Sequence, residues 1–205
     1  MAARVMNETV KTRFSLVLPM LLGLALASCG AAAPREEPPL AGATIGGPFT
    51  LTDQNGRQVS DASFKGKYRI VYFGFASCPD VCPTDLAQIG QAMRLLEKSD
   101  PARAAKIQPI FISVDPERDT PAKLKEYAAA FHPRLAALTG TPEQVKAAAK
   151  GYAVYYAKMP ADNGEYLMDH QRIIYLMDPD GKPIAMLPHE KNAQAIVDEL
   201  TRWVS

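Results

Sequence analysis

The sequence predicts an α/β fold with a central mixed sheet, on three observations. From residue 48 onward, apolar runs typical of buried strands alternate with amphipathic helical segments, and this alternation favours parallel strand pairing. A strand, a hairpin and a helix close the chain, which adds an antiparallel edge to the sheet. Two cysteines stand where the first long apolar run gives way to a helix.

The first elements lead up to these cysteines. The segment FTLTDQNGRQVS alternates in polarity around Asn55-Gly56, which predicts a β-hairpin. YRIVYFGF, Tyr68 to Phe75, is continuously apolar, as in a strand buried on both faces. In PTDLAQIGQAMRLLEK the apolar residues recur at helical spacing, with Pro83 expected at the first helical position and Asp85 in the first turn.

The rest of the chain repeats the alternation. Strands are predicted in IQPIFISVD, LAALTG, AVYYAK and RIIYLMD, helices in TPAKLKEYAAAF, TPEQVKAAAKGY and NAQAIVDELTRWV, and a hairpin turn at Asp180-Gly181. Thr120 and Thr141 are expected to cap the helices that follow them. This order, with a cysteine pair at the head of a helix, predicts a thioredoxin-like fold for residues 48–205: a mixed sheet flanked by helices, with an N-terminal β-hairpin extension.

Residues 1–29 differ in kind from this domain. Three basic residues precede an uncharged apolar run of 14 residues, Phe14 to Ala27, which suits a signal peptide and is short for a membrane span. The run ends in LASC, which resembles a bacterial lipobox with Cys29 as the lipidated residue. An uncleaved anchoring helix is the alternative. Both place the domain outside the cytoplasm at a membrane surface, and residues 30–47, rich in Pro, Ala and Gly, are expected to form a flexible tether.

The net charge and the number of cysteines limit the classes of function that the chain can have. The formal net charge of +1 offers no basic footprint, so no nucleic-acid partner is expected. With Cys29 assigned to the leader, Cys78 and Cys82 are the one remaining pair. In an oxidising compartment such a pair tends to form a disulfide.

The stretch SCPDVCP places Cys78 and Cys82 four positions apart at a helix start, where the helix dipole favours thiolates. One helical turn would bring both sulfurs to the same side, which suits a disulfide or one soft metal ion. Two inert buried thiols are the structural alternative, against which the loop position and the two prolines argue.

A third metal donor would come from one of three histidines. His132 is expected at a helix end and His189 at the surface before the last helix. His170 precedes a buried strand, at a junction that faces the cysteine loop in a thioredoxin-like fold. Two thiolates and an imidazole suit copper, whereas structural zinc normally takes four protein ligands.

Four blocks, YFGFASCPDVCPTDL, FISVDPERDTP, LTGTPEQV and DHQRIIYLMDPDG, resemble the Sco/SenC family of membrane-tethered, thioredoxin-like proteins of cytochrome c oxidase assembly. The resemblance runs from about Pro48 to the C-terminus. It implies that copper is bound by three residues: Cys78, Cys82 and His170. It also implies three supporting residues near the site: Asp115, Arg118 and Asp119.

The resemblance further implies a copper chaperone, rather than an enzyme, on the periplasmic side of a bacterial membrane. Its expected partner is the copper-site subunit of cytochrome c oxidase, with another periplasmic copper chaperone or a thioredoxin-like reductant as a further partner. The alternative is a thiol-disulfide oxidoreductase that reduces the acceptor's cysteines. The Cys-x3-Cys spacing and the lack of a proline at Gln171-Arg172-Ile173 weaken a general reductase, and the residue set of a peroxidase is not evident.

Overall fold

Nine strands and five α-helices lie in the part of the chain that the computed structural model describes, residues 36–161 and 166–205. The strands are β1 Thr50–Asp53, β2 Gln58–Ser60, β3 Tyr68–Gly74, β4 Ile107–Ser113, β5 Ala136–Thr139, β6 Tyr156–Pro160, β7 Tyr166–His170, β8 Ile174–Met177 and β9 Pro183–Leu187. The helices are α1 Val81–Ser99, α2 Pro101–Ala105, α3 Pro121–Ala129, α4 Pro142–Gly151 and α5 Ala193–Trp203, with a 3-10 helix at Asp61–Phe64.

A seven-stranded mixed sheet forms the centre, in the order β2-β1-β5-β4-β3-β8-β9. The strands β3, β4 and β5 pair in parallel, whereas β8 and β9 extend the sheet antiparallel on one side and the β1–β2 hairpin does so on the other. Helix α1 packs against α5, and α3 packs against β5. The predicted mixed sheet, its antiparallel edge and its N-terminal hairpin are therefore all present.

The two central strands place the site. Every residue of β3 after Tyr68 is buried, as its continuous apolar run predicts. The register of β3 and β4 sets Gly74 beside Ser113 at their carboxyl ends. The cysteine loop follows Gly74 and the loop of the supporting residues follows Ser113, so both loops leave the same edge of the sheet.

Helix α1 begins earlier than the sequence indicated. It begins at Val81, so Cys82 lies in its first turn, and Pro83 occupies the third position rather than the first. Proline is tolerated there because its missing N–H would have no partner within the first turn anyway. The placement of Asp85 in the first turn was wrong: it lies one turn further on and is fully buried. The predicted N-caps of α3 and α4 are confirmed. The side chains of Thr120 and Thr141 each accept the backbone N–H of the residue three positions later.

The segment before β1 differs from the predicted tether. The N–H of Leu40 donates to Ile184 O at 3.0 Å, and the N–H of Gly46 donates to Gly151 O at 2.9 Å. The compact unit therefore begins at Glu37 rather than at residue 48, and Leu40 packs against the core.

The predicted leader and Cys29 lie outside the described residues. Within those residues, none of the helices combines the length and hydrophobicity that crossing a bilayer requires.

A second, two-stranded sheet was missed from the sequence. Strands β6 and β7 pair antiparallel with Tyr156 opposite His170, and the residues that connect them, 162–165, lie outside the described part. Met159 and Leu167 face each other on its exposed side, whereas Met168 is buried on the opposite side. Since side chains alternate along a strand, His170 shares the inner face with Met168.

Candidate metal centre

The two cysteines lie at the junction between β3 and α1 and differ in exposure. Cys78 is half-buried in the loop, whereas Cys82 is fully buried in the first turn of the helix. Both are free thiols, and the backbone N–H of Cys82 donates to Cys78 Sγ at 3.4 Å. The one-turn spacing thus brings both sulfurs to one side of the helix start.

His170 faces this pair from the end of β7. Its Nε2 lies 3.3 Å from Cys82 Sγ, and its Nδ1 lies 3.1 Å from the carbonyl oxygen of Gln171. Because a carbonyl oxygen only accepts, the N–H on Nδ1 donates to Gln171, and Nε2 is the ring nitrogen that faces the sulfurs. A backbone carbonyl that holds the distal N–H is the usual arrangement for a metal-ligating histidine.

The donor atoms of Cys78, Cys82 and His170 all lie within 4.8 Å of one another. Within the described residues this is the one group of three or more Cys, His, Asp or Glu residues with that proximity. Two sulfurs and one nitrogen suit a soft ion such as copper. The structure therefore brings together the three residues that the sequence singled out.

The other two histidines are engaged elsewhere. His132 is buried after α3, where its Nε2 lies 3.4 Å from a Glu97 carboxylate oxygen and its Nδ1 accepts the N–H of Arg134. Burial lowers the pKa of His132, against the opposing effect of Glu97. His189 lies 3.8 Å from Glu190. Neither belongs to the cysteine cluster.

The two thiols have opposite acidities. A hydrogen bond from Cys82 lowers the pKa of Cys78 to about 3, helped by His170 and by backbone N–H groups, against the effect of burial. The same contact, followed by burial, raises the pKa of Cys82 above its ordinary value. Cys78 is therefore the more acidic thiol of the pair, and binding of a metal by both sulfurs requires Cys82 to lose its proton.

Asp115 and Arg118 connect the loop after β4 to the β6–β7 hairpin. Arg118 forms an ion pair with the buried Asp115 carboxylate, and its Nη1 donates to Tyr166 O at 2.9 Å. The hydroxyl of Tyr166 donates to Asp115 Oδ1 at 2.7 Å, while the guanidinium lies 4.0 Å from the centre of the Tyr166 ring. This network holds the strand that ends at His170.

Asp119 holds the cysteine loop. Its Oδ2 accepts the N–H of Ala76 at 2.8 Å and the hydroxyl of Ser113 at 2.7 Å. Lys123 Nζ lies 3.1 Å from Asp119 Oδ1 and also donates to Ser77 Oγ at 2.7 Å. The predicted supporting residues therefore anchor the two segments that carry the sulfurs and the imidazole, without joining the donor cluster themselves.

Gly74 leaves the space that the buried sulfur occupies. A Cβ on this residue would lie 2.8 Å from Cys82 Sγ and 3.0 Å from Phe111 Cε2. These separations are shorter than van der Waals contact, so the last position of β3 requires a glycine for room rather than for backbone conformation.

Three residues around the centre were missed from the sequence. Tyr72 is buried with its ring 6.3 Å from that of His170, and burial followed by the charges of Cys82 and Asp85 raises its pKa. Asp85 forms a bidentate ion pair with Arg172. Asp85 lies three residues after Cys82, and Arg172 lies two residues after His170. This closeness in sequence to the ligands was the available signal, but no local sequence pattern predicts that the two residues form an ion pair.

Comparison with known proteins identifies one family with a similar sequence. The sequence model of the family described as SCO1/SenC matches residues 37–205. Protein SCO2, mitochondrial, of Saccharomyces cerevisiae is 45% identical over 163 residues, which cover 78% of this chain and 53% of that protein. Protein SCO1 homolog 1, mitochondrial, of Arabidopsis thaliana is 38% identical over 170 residues, 83% of this chain and 50% of that protein. The chain thus spans about half the length of these two relatives.

Solved structures are similar as well. Bradyrhizobium japonicum ScoI with copper bound has 45% identity and a TM-score of 0.71, covering 78% of this chain and 99% of that one. Yeast Sco1 with copper bound has 40% identity and a TM-score of 0.71, covering 78% and 88%. BsSco, described as a member of the Sco family of cytochrome c oxidase assembly proteins with a disulfide switch, has 27% identity and a TM-score of 0.61, covering 81% and 95%.

The fold is shared more widely. The thioredoxin domain of a thiol-disulfide oxidoreductase from Bacteroides vulgatus has a TM-score of 0.54 at 20% identity, covering 78% of this chain and 96% of that one. The predicted thioredoxin-like fold is confirmed.

Proposed function

The chain belongs to the SCO1/SenC family, and from this membership we propose that it is a copper-binding assembly factor for the copper centre of cytochrome c oxidase. The proposed ligands are the sulfurs of Cys78 and Cys82 and Nε2 of His170. The observation that carries the proposal is the convergence of these three soft-to-borderline donors within 4.8 Å.

The chemistry of the donor set favours copper as cargo. Cys78, with its low pKa, offers a thiolate at neutral pH, and Cys82 releases its proton as the metal binds. Because Nδ1–H donates to Gln171 O, Nε2 is the nitrogen through which His170 would bind the metal. Phe75 and Tyr72 pack edge-on against the imidazole at 5.8 and 6.3 Å between ring centres and keep it oriented.

Copper binding in this arrangement is linked to the redox state of the cysteines. A disulfide between Cys78 and Cys82 would use both sulfur ligands, so only the reduced protein can hold copper through them. Oxidation of the pair would then release the metal or block its uptake.

A second candidate is reduction of the disulfide in the acceptor's copper site. It is favoured by the asymmetry of the pair, because a half-buried low-pKa Cys78 can attack a disulfide and a buried Cys82 can resolve the mixed disulfide. This role uses the same residues and is compatible with copper delivery.

The proposed location is the periplasmic side of a bacterial membrane, with the chain held by a lipid on Cys29 or by an N-terminal helix. The proposed partner is the copper-site subunit of cytochrome c oxidase. A second copper chaperone or a thioredoxin-like reductant would load or reduce the protein. The leader-like residues 1–29 support the location, since they combine a basic start, an apolar run and LASC.

Genetic complementation tests the proposal. In a strain that lacks the gene, cytochrome c oxidase activity and copper content should fall, and the wild-type chain should restore both. Cys78→Ser, Cys82→Ser and His170→Ala should fail to restore them, whereas His189→Ala, outside the donor cluster, should succeed. Full oxidase copper in the deletion strain would overturn the proposed function.

A further inference from the structure

Asp85 and Arg172 form a bidentate ion pair next to the metal centre. Arg172 Nε donates to Asp85 Oδ2 at 2.8 Å, and Nη2 donates to Asp85 Oδ1 at 2.6 Å. The Asp85 side chain is wholly buried, and that of Arg172 is 31% exposed. Two parallel charge-assisted hydrogen bonds fix the orientation of the partners as well as their separation.

This ion pair connects the same two segments as the contact between Cys82 and His170. Asp85 lies three residues after Cys82, so one helical turn separates them along α1. Arg172 lies two residues after His170, in the segment that leaves β7. The ion pair is therefore a second crosslink, parallel to the one between the buried sulfur and the imidazole.

The other hydrogen bonds of this segment do not reach α1. Gln171 donates its N–H to Tyr155 O at 3.0 Å and accepts the N–H of Tyr155 at 2.9 Å, which fastens it to the segment that enters β6. Those bonds fix Gln171 relative to the hairpin that carries His170, not relative to the helix that carries Cys82. Among the described residues, the hydrogen bonds between residues 171–173 and α1 are the two from Arg172 to Asp85.

We infer that Asp85 and Arg172 are positioning residues that hold His170 Nε2 at ligand distance from the cysteine sulfurs, and that they thereby set the affinity of the centre for Cu(II). The inference rests on the proposed copper function. Cu(I) tolerates two sulfur ligands, whereas Cu(II) prefers additional nitrogen or oxygen donors. A loosened imidazole should therefore weaken Cu(II) more than Cu(I).

Two single substitutions separate positioning from stability. Asp85→Asn removes the ion pair and leaves a partly exposed arginine, whereas Arg172→Gln leaves a buried carboxylate without its partner. The second variant should be the less stable, because an unpaired buried charge is strongly destabilising. If the ion pair acts by positioning, both variants should lose Cu(II) affinity to a similar extent, about 10–100-fold, with a smaller loss for Cu(I). The double variant should lose no more than either single variant.

Asp53→Asn is the matched control. Asp53 is also buried and also accepts two hydrogen bonds from an arginine, Arg57, at 2.9 and 2.7 Å, but it lies at the β1–β2 turn. Its substitution should lower the thermal midpoint and leave both copper affinities unchanged. For every variant, copper affinities should be measured by competition in the full-length chain and compared with the thermal midpoint of unfolding.

A copper-free readout keeps the inference distinct from the proposed function. In the reduced protein without metal, NMR signals of the His170 ring should shift in Asp85→Asn and Arg172→Gln and not in Asp53→Asn. If wild type binds no copper but these shifts occur, the proposed function fails and the positioning role stands. If the ring signals stay in place, or if Cu(II) and Cu(I) affinities fall equally and in proportion to the thermal midpoint, the inference is overturned.

Discussion

His170 Nε2 lies 3.3 Å from the sulfur of Cys82, although 88 residues separate the two in sequence. The contact joins the first turn of α1 to the end of β7, so it exists only when the central sheet and the two-stranded hairpin are both in place. The proposed metal centre therefore forms only when both parts of the domain are folded.

His170→Ala should weaken Cu(II) binding by about 10–100-fold and Cu(I) binding by less, because the two sulfurs alone can hold Cu(I). Competition with chelators of known affinity measures both, and the Cu(II) EPR spectrum should lose its nitrogen hyperfine signature. His189→Ala is the control and should behave as wild type. An unchanged Cu(II) affinity in His170→Ala would remove the imidazole from the proposed ligand set.

Alkylation should distinguish the two thiols in the reduced, metal-free protein. A pKa of about 3 keeps Cys78 ionised throughout the range from pH 8 to pH 5, so its rate of reaction with iodoacetamide should stay nearly constant there. A cysteine of ordinary pKa, about 8.5, would lose roughly tenfold in rate per pH unit below that value. Cys82, whose pKa is raised, should react slowly at every pH. Mass spectrometry of the two labelled positions gives the rates, and a tenfold decline per unit at Cys78 would contradict the assignment.

Gly74→Ala should displace the buried sulfur. The added methyl group would lie 2.8 Å from Cys82 Sγ, and such overpacking typically costs about 1–3 kcal/mol of stability. We expect that loss in chemical denaturation together with a lower affinity for copper. Gly90→Ala is the matched control, because its Cβ would lie 2.6 Å from Phe131 O, away from the donor cluster. It should reduce stability and leave copper affinity intact; equal copper loss in both variants would point to general destabilisation.

Asp119→Ala should loosen the cysteine loop. It leaves the N–H of Ala76 and the hydroxyl of Ser113 without their acceptor, and each buried group without a partner costs about 1–3 kcal/mol. The free energy of unfolding should fall accordingly, and hydrogen exchange at Ala76 should accelerate. Lys123→Met removes the ion pair with Asp119 and the hydrogen bond to Ser77 Oγ, but it keeps the acceptor of Ala76 and Ser113, so it should have a smaller effect on both. Unchanged exchange at Ala76 in Asp119→Ala would show that the loop is held by other contacts.

Much of the fold followed from local sequence patterns. The apolar run of β3, the turns at Gly56 and Gly181, and the caps at Thr120 and Thr141 each have a signal within a few residues, and each is found in the structure. The two turn glycines have φ of +79° and +83°, a region that favours glycine, so their prediction had a direct physical reason.

The missed features are those fixed by distant partners. Strand β7 alternates too weakly in polarity to be recognised alone and is defined by pairing with β6. The sequence places Asp85 in the first turn of a helix. Only the folded structure shows that it forms an ion pair with Arg172, which lies 87 residues further along the chain. Leu40 and Gly46 sit in a Pro- and Gly-rich segment, yet their backbone hydrogen bonds to other parts of the domain hold that segment in place.

The most direct test of the account is the copper content of the purified full-length chain in its two redox states. The reduced protein should hold a single copper ion, because both sulfurs and the imidazole are available, and the Cys78–Cys82 disulfide form should hold none. Cys78→Ser and Cys82→Ser should lose most of the metal in the reduced state. Equal copper in the reduced and oxidised proteins, or full copper retention in either serine variant, would contradict a centre built on Cys78, Cys82 and His170.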